Sequence, residues 1–378
     1  MKKFAIFFTT LICLFYVQGC SVRPAVTKGA AAIPKVKTVY SGKIKSNAFQ
    51  TLQRLKNKTY STSDSVFTDL SKKYNLVSVP TYDGSGQETH PKILYFSKGW
   101  NGWKYWMSFT PYPNGNDDYE NPSIVVSNDM TNWQEPKESE NPISGVPYDV
   151  RFGGHYSDPH IVMRNNIMEL WYRYNHGNTK TDWTDYSIDY YYRKTSTDGV
   201  HWSEPELMED SKGGILSLDV NYSGSKYEFW YTDYKHRLLH SDSVTGTNWA
   251  NTSVCSLELP KNYAPWHQDI IQYKGEYYLL QTGINLSKYS FSLFLSHSTD
   301  GIHFTDGVPF YPSNNPVIRS QAWLYRSTLF EDNNKFSMMV SIRFPSGQWY
   351  MVKSEIPVSE FFDTNVQTSQ SILPLSKK

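Results

Sequence analysis

Four short segments of the chain repeat one pattern: a strand-like apolar run ends in serine, a polar turn follows, and an aromatic residue closes the segment. The segments are 127–133, 196–202, 241–249 and 298–304. Their starts lie about 45 to 70 residues apart, a spacing typical of propeller blades with insertions of different length. The turn aspartate can accept bonds from turn amides, and the ring can pack between sheets. We therefore interpret these segments as structural repeats.

Each repeat belongs to a larger unit in which two apolar strands precede the turn. The first strands are predicted at 90–96, 158–163, 218–222, 268–273 and 323–330, each followed by an aromatic-rich second strand. The chain holds 12 Trp, 29 Tyr and 19 Phe, residues that favour strands. The pattern predicts an all-β fold, a five-bladed β-propeller spanning 78–357. A β-sandwich is the main alternative, but the recurring order within each unit argues against it.

The first residues are typical of a targeting signal. Lys2 and Lys3 precede a short apolar run that ends in Gly19 and Cys20. Residues 1–19 are thus predicted to be a bacterial lipoprotein signal peptide, with Cys20 as the lipidated residue. A plain secretory signal with an accidental cysteine is the alternative. The lipid would anchor the protein in the bacterial cell envelope, at the outer membrane or the cell surface.

Three further segments flank the predicted propeller. Residues 20–45 contain lysine and arginine but no acidic residue, which indicates a flexible basic tether after the lipidated cysteine. Residues 46–77 are predicted to form a short helical or irregular lead-in, and 358–378 a C-terminal tail.

Charge and cysteine content exclude several classes of protein. The chain has 37 basic and 36 acidic residues, a balance that argues against a nucleic-acid partner. If Cys20 carries lipid, Cys255 has no partner, so no intrachain disulfide is expected. No Cys/His spacing typical of a zinc site is present, and we expect a monomer.

The repeat pattern carries a family resemblance. A strand ending in Ser-x-Asp-x-x-x-Trp resembles the outer blade strand of the five-bladed propeller glycosidases, the glycoside hydrolase family 43 and 32 kind. Ser157-Asp158-Pro159 is similar to the Asp-Pro step that opens blades in those enzymes. The resemblance spans roughly 80–357. It implies a funnel on the propeller axis and hydrolysis of a glycosidic bond by two carboxyl groups, with a third tuning pKa and orientation.

The resemblance assigns roles to three acids. Asp158 matches the middle aspartate of the family, which orients the general acid and keeps its pKa high. Asp219 occupies the third-blade position, where the family usually has a glutamate as the acid. The first blade has His90 where the family has its aspartate base. Glu88 is the predicted replacement, Asp83 and Asp269 are alternatives, and absence of the base is also open.

Other side chains at strand starts and in rim loops are predicted to bind carbohydrate. They are His90, Trp103, His155, His267, Asp269, Gln321 and Arg326. Aromatic rings cover the apolar faces of sugars while polar groups take their hydroxyls. Each also has an ordinary structural alternative, such as a core histidine or an arginine paired with a protein acid. No cofactor is required, although a central Ca²⁺ is compatible with this fold.

Three functions follow as hypotheses. The first is an envelope-anchored glycoside hydrolase that cleaves a poly- or oligosaccharide. The second is a non-catalytic glycan-binding propeller lipoprotein that has lost its base. The third is a sialidase-like enzyme, which ranks last because three arginines cannot be placed at strand starts.

Overall fold

The computed structural model describes residues 69–361 except 72, 75, 148–149, 151–152, 176–188, 212–213, 313–317 and 319–320. The predicted signal peptide, Cys20 and the tether lie outside the described residues and stay predictions.

Antiparallel sheets follow one another along the described chain. Blade one contains β2 (Glu88–Trp100), β3 (Trp103–Pro111) and β4 (Ser123–Ser127). Blade two contains β5 (His155–Arg164), β6 (Ile167–Asn175), β7 (Asp189–Ser196) and β8 (Glu206–Ser211). Blade three contains β9 (Ile215–Tyr222), β10 (Tyr227–Asp233), β11 (Leu238–Ser243) and β12 (Ala250–Val254). Blade four contains β13 (Tyr263–Tyr273), β14 (Glu276–Asn285), β15 (Ser290–Ser298) and β16 (Val308–Phe310).

The outermost strand of blade five comes from the N-terminal part of the described chain, and the other strands come from its C-terminal part. Its strands are β17 (Trp323–Leu324), β18 (Thr328–Asp332), β19 (Lys335–Arg343), β20 (Trp349–Pro357) and β1 (Leu76–Val77). In β1, Leu76 pairs with Val352 and Val77 with Met351. The predicted irregular lead-in therefore ends in a strand, which is too short for its pattern to be recognised.

The innermost strands close into a ring. β2 contacts β5, β5 contacts β9, β9 contacts β13, β13 contacts β18, and β18 returns to β2. The prediction of a five-bladed β-propeller is confirmed.

Short helices complete the described fold. Two 3-10 helices, Pro113–Gly115 and Asp117–Tyr119, lie in the loop between β3 and β4. The helix Val358–Phe361 follows β20 and buries Phe361 in the apolar core shared by blades four and five. Among the described residues, no helix has both the length and the apolar character that a membrane span requires.

The repeated turns pack on buried tryptophans of the preceding blade. Asp198 Oδ1 accepts hydrogen bonds from the amides of Val200 and His201, both at 2.8 Å. Trp106, Trp171 and Trp230 are buried in β3, β6 and β10, and glycines of the following blade's turn lie against them: Gly199, Gly246 and Gly301 respectively. The turns are structural, as predicted.

The third repeated turn begins two residues later than the sequence pattern predicted. Gly246 N donates to Ser243 Oγ at 2.9 Å, as Gly199 N does to Ser196 Oγ at 2.8 Å. Ser243 is therefore the first residue of this repeat, and the prediction of Ser241 was wrong. The repeat that starts at Ser243 has Thr245 in the aspartate position, and Asp242 directly follows Ser241, which is why the sequence pattern favoured the earlier serine.

Replacing Gly199 with alanine should destabilise the propeller through Trp106. Gly199 has φ 78°, and an added Cβ would overlap the Trp106 ring. Gly275 has φ 86° with open space around it, so Gly275→Ala is a matched control for the backbone effect. We expect Gly199→Ala to cost about 1–3 kcal/mol more than Gly275→Ala in urea unfolding. An equal loss of unfolding free energy in the two variants would show that the turn does not pack tightly against Trp106.

Candidate active site

Irregularities at the starts of the innermost strands place polar residues on the propeller axis. The register of β2 against β3 shifts between Thr89 and Lys92, and that of β5 against β6 between Ser157 and His160. Within these two shifts, His90 and Asp158 have φ of 56° and 52°, and each precedes a proline. Bulges re-aim side chains, and left-handed backbone at a non-glycine residue costs about 1–3 kcal/mol. Strain repeated in two blades marks this end of the axis as a candidate site.

Three of the predicted residues meet there from different blades. His267 Nδ1 lies 3.2 Å from Asp158 Oδ1, and the ring centroids of His90 and His267 are 5.2 Å apart. One donor atom from each of the three residues lies within 4.8 Å of the other two. All three side chains are buried, between 1 % and 3 % exposed.

Two histidines and two arginines surround the carboxylate of Asp158. Arg326 Nη1 donates to Asp158 Oδ1 at 2.8 Å, and Arg173 Nη2 lies 3.5 Å from Asp158 Oδ2. Burial alone would raise the pKa of Asp158, but His90, His267 and Arg173 outweigh it and hold that pKa well below its usual value. Arg326 is itself buried and also donates to Leu218 O at 3.0 Å. Protein groups thus bind the Arg326 guanidinium, and its role in binding carbohydrate stays a prediction.

Glu120 is a site residue that the sequence analysis missed. Its Oε1 lies 3.2 Å from His90 Nδ1, and its Oε2 lies 3.3 Å from His155 Nε2. Burial raises the pKa of Glu120 well above its usual value, and the charges of Asp117 and Asp158 raise it further. Glu120 enters from the loop after β3 rather than from a strand start. Only the aromatic and polar composition of that loop signalled it.

The side chains of this cluster suit a transition-metal ion. Nε2 of His90 and Nε2 of His267 are buried without a hydrogen-bond partner, and Asp158 is ionised beside them. Two imidazoles and a carboxylate are typical ligands of Zn²⁺ and other first-row divalent metals. Ca²⁺ prefers oxygen ligands alone, so this donor set favours a transition metal over the Ca²⁺ considered from the sequence.

A second layer of polar residues lies two positions farther along each innermost strand. We name the first set the site layer: His90, Asp158, Ser217, His267 and Arg326. We name the second set the support layer: Lys92, His160, Asp219, Asp269 and Thr328. The blade-three residue that corresponds to Asp158 is thus Ser217, and Asp219 belongs to the support layer.

The two acids of the support layer fasten neighbouring blades together. Asp219 Oδ2 accepts the amide of Ile270 and Asp269 Oδ2 the amide of Leu329, each at 2.6 Å. Lys92 Nζ donates to Asp269 Oδ1 at 2.7 Å. Burial raises the pKa of Asp219 to about 7, with Lys92 opposing the shift, but the side chain is fully buried and bound to backbone. These bonds give Asp219 and Asp269 structural roles between blades, whereas the predicted general-acid role of Asp219 and sugar-binding role of Asp269 gain no support from their position.

Three other predicted residues do not join the cluster. Glu88 is fully buried, neither of its carboxyl oxygens has a hydrogen-bond partner, and it is not part of the group formed by His90, Asp158 and His267. Trp103 pairs with Trp100 at the opposite end of β2 from His90, and it contributes to the core between blades one and two. Gln321 is exposed in the turn before β17, outside the buried cluster.

His155, by contrast, lies at the site as predicted. Its Nε2 faces Glu120, and its Nδ1 lies 2.9 Å from Gly153 O. Burial lowers the pKa of His155, and the charge of Arg173 lowers it further. The imidazole is thus kept neutral between a carboxyl group and a backbone carbonyl.

Comparison with known proteins supports the fold. No protein-family model matches the chain. A curated protein of Flavonifractor plautii, named A type blood N-acetyl-alpha-D-galactosamine deacetylase, is 30 % identical over 153 residues. The match covers 39 % of this chain and 19 % of that protein, so the chain spans only a small part of that relative.

Solved structures share the propeller. An N-acetylgalactosamine deacetylase from F. plautii, in complex with blood group B trisaccharide, has a TM-score of 0.60 at 20 % identity, covering 74 % of this chain and 92 % of that one. An exo-β-1,3-galactanase from Phanerochaete chrysosporium has a TM-score of 0.52 at 12 % identity, covering 75 % and 64 %. The predicted resemblance to five-bladed propeller glycoside hydrolases is confirmed for the fold, and these relatives are named as enzymes that act on glycans.

The two layers should respond differently to matched substitutions. Asp158→Asn removes the ionised group at the site, so zinc affinity measured by titration calorimetry should fall at least tenfold. Asp219→Asn should leave zinc affinity unchanged but lower the free energy of unfolding by about 1–3 kcal/mol, because it disturbs a buried bond between blades. Equal zinc affinity in both variants would contradict the assignment of the layers.

Proposed function

We propose that the chain is a metal-dependent hydrolase that removes the N-acetyl group from an amino sugar of a glycan. The observation that carries the proposal is the convergence of His90, Asp158 and His267 beside Glu120. The predicted route for glycosidic cleavage uses Asp158 with Asp219 and Glu88, but Asp219 lies in the support layer, and the carboxyl group found near Asp158 is that of Glu120. The named activity of the F. plautii relatives supports the amide as the bond that is cleaved.

The chain's own residues prepare the site for this chemistry. A divalent metal, when bound, polarises an amide carbonyl and lowers the pKa of a water molecule. His90, Asp158 and His267 would hold the ion. Arg326 and Arg173 keep Asp158 charged and oriented. The Thr110 hydroxyl, at 3.1 Å, and the Glu120 carboxyl, at 3.2 Å, lie against Nδ1 of His90, which leaves Nε2 of that ring available.

Glu120 is the proposed proton carrier. Hydrolysis joins a water oxygen to the acetyl carbon and breaks the bond from that carbon to nitrogen, which releases acetate and a free amine. One water proton must reach the departing nitrogen, and a carboxyl group with a raised pKa can accept and return it. Glu120 holds this proton at Oε1 or Oε2, between the rings of His90 and His155.

Glycoside hydrolysis is the second candidate, because the galactanase shares the fold. A carbohydrate is the proposed ligand in either case, and glycan binding without catalysis is the alternative that the sequence analysis ranked second. The predicted lipid anchor at Cys20 would place each of these activities at the bacterial cell envelope. That anchor, the location and the expected monomer stay predictions.

The reaction products distinguish the candidates. Purified protein with Zn²⁺ is incubated with methyl α-N-acetylgalactosaminide and with the A-type trisaccharide, and acetate and new reducing ends are both measured. We expect acetate release with every glycosidic bond intact. New reducing ends without acetate would establish the glycosidase, and binding without either product the glycan-binding protein.

Glu120→Gln tests the proposed proton carrier. It should lower kcat for acetate release by about 10- to 100-fold while the bound zinc stoichiometry is retained. The control Glu140→Gln changes an exposed glutamate of blade one and should have no effect. Full activity in Glu120→Gln would remove Glu120 from the mechanism.

A further inference from the structure

Two residues at the starts of innermost strands stand in irregular backbone beside the candidate site. The register of β13 against β14 shifts between Pro265 and His267, so Trp266 is an extra residue in β13. In blade five, residues 325–327 separate β17 from β18 but face only two residues of β19. Bulges of this kind re-aim side chains and are frequent next to active sites. Tyr325 and Trp266 are therefore placed by the same kind of irregularity as the axial residues of blades one and two.

Tyr325 lies against two of the candidate metal ligands. The centroid of its ring is 4.7 Å from that of His267 and 5.4 Å from that of His90. The next residue, Arg326, binds the third ligand, Asp158. Tyr325 is partly buried, whereas His90 and His267 are 2 % and 3 % exposed. Tyr325 is thus the most accessible of the three rings.

The hydroxyl of Tyr325 accepts one bond from the protein and has its own proton to give. Trp266 Nε1 donates to it at 3.1 Å. A phenol hydroxyl can donate as well as accept. Within the part of the chain that the structure describes, no group accepts the proton of this hydroxyl. Because Trp266 occupies one side of the oxygen, the proton is directed elsewhere.

Contacts on several sides hold the ring in place. Phe291 and Trp349 meet it edge-on at 4.9 Å and 5.2 Å, and the amide of Tyr325 donates to Ser341 O at 2.9 Å. A donor held in this way loses little freedom when a ligand binds.

Burial and neighbouring charges keep this hydroxyl protonated. Burial raises the pKa of Tyr325 well above its usual value, and the carboxyl groups of Glu120 and Asp158 raise that pKa further. The hydroxyl therefore stays a donor at neutral pH. Since both acids act on it, the hydroxyl borders the space between the proposed proton carrier and the candidate metal ligands.

We propose that Tyr325 is a further catalytic residue, whose hydroxyl donates a hydrogen bond to the carbonyl oxygen of the acetyl group, and that Trp266 positions this hydroxyl. The inference rests on the proposed function. When the water oxygen adds to the acetyl carbon, the carbonyl electrons move to the carbonyl oxygen, which becomes an oxyanion. Their return breaks the bond from carbon to nitrogen, and Tyr325 keeps its proton throughout. A donor fixed where negative charge develops stabilises the transition state more than the substrate.

Tyr112 provides a matched control. Its ring centroid lies 6.5 Å from that of His90, and burial and then the charge of Glu120 raise its pKa as well. Its hydroxyl, however, donates to Asp117 Oδ1 at 2.9 Å. The two tyrosines thus share their surroundings, but the proton of Tyr112 already has an acceptor in the protein.

The role of the Tyr325 hydroxyl is tested by removing it. Tyr325→Phe keeps the ring contacts with both histidines, so KM and the zinc stoichiometry should stay as in the parent protein. We expect kcat for acetate release from methyl α-N-acetylgalactosaminide to fall about 100-fold, because one donor to the oxyanion is lost. Tyr112→Phe should retain the kcat of the parent protein.

Trp266→Phe tests the positioning role. It removes the indole N–H but keeps a ring, and kcat should fall about 3- to 10-fold, as expected for the loss of one hydrogen bond. In protein that already carries Tyr325→Phe, the same change should have no further effect on kcat, because Trp266 acts through the missing hydroxyl. An equal loss in both backgrounds would overturn the positioning role.

Binding of a tetrahedral analogue gives a readout besides activity. In this analogue a methylphosphonyl group replaces the acetyl group on the sugar amine of the same methyl glycoside, and its phosphonyl oxygens resemble the oxyanion. In calorimetry with zinc-loaded protein, Tyr325→Phe should weaken binding of the analogue by about the factor by which kcat/KM falls. Affinity for the product, methyl α-galactosaminide, should not change.

The outcomes separate this inference from the proposed function. If the parent protein releases no acetate, both fail. If the parent protein is active and Tyr325→Phe retains its kcat and its affinity for the analogue, only the role of Tyr325 is overturned. A loss of bound zinc or a lower Tm in Tyr325→Phe would show a structural role and would overturn the catalytic one as well.

Discussion

A buried ion pair between Arg326 and Asp158 joins blade five to blade two across the propeller axis. Removing two charges from water costs several kcal/mol per ion unless further bonds satisfy them. Arg173 and the carbonyl of Leu218 supply those bonds, and His267 lies beside the carboxylate. The pair keeps Asp158 charged in a buried place, which a metal ligand requires.

The axis divides the polar residues into groups with different roles. In the support layer, one carboxylate oxygen of Asp219 and one of Asp269 accept hydrogen bonds from amides of the next blade, so the fold fixes the position of both side chains. In the site layer, bulges replace regular pairing, and imidazole nitrogens of His90 and His267 remain without partners. Buried ring nitrogens without a hydrogen-bond partner, beside strained backbone at His90 and Asp158, are typical of a functional site rather than a core.

The blades could be predicted from sequence because the serine turns and aromatic strands recur, whereas the choice of axial residues depends on bulges that leave little trace. A proline after His90 and after Asp158 was the visible sign, and blade three has none, so Asp219 was placed one layer too high. Glu120 could not be predicted from strand starts, because it enters from a loop. The pairing of β1 with blade five is a long-range contact made by two residues, which no local pattern specifies.

The central claim is that His90, Asp158 and His267 hold one metal ion on the axis. Crystals grown with zinc and measured at the zinc absorption edge test it directly, because anomalous scattering locates the ion without reference to activity. We expect one axial peak about 2.0–2.3 Å from a donor atom of each of the three residues. A peak among His160, Asp219 and Asp269 instead, or no peak on the axis, would contradict the account.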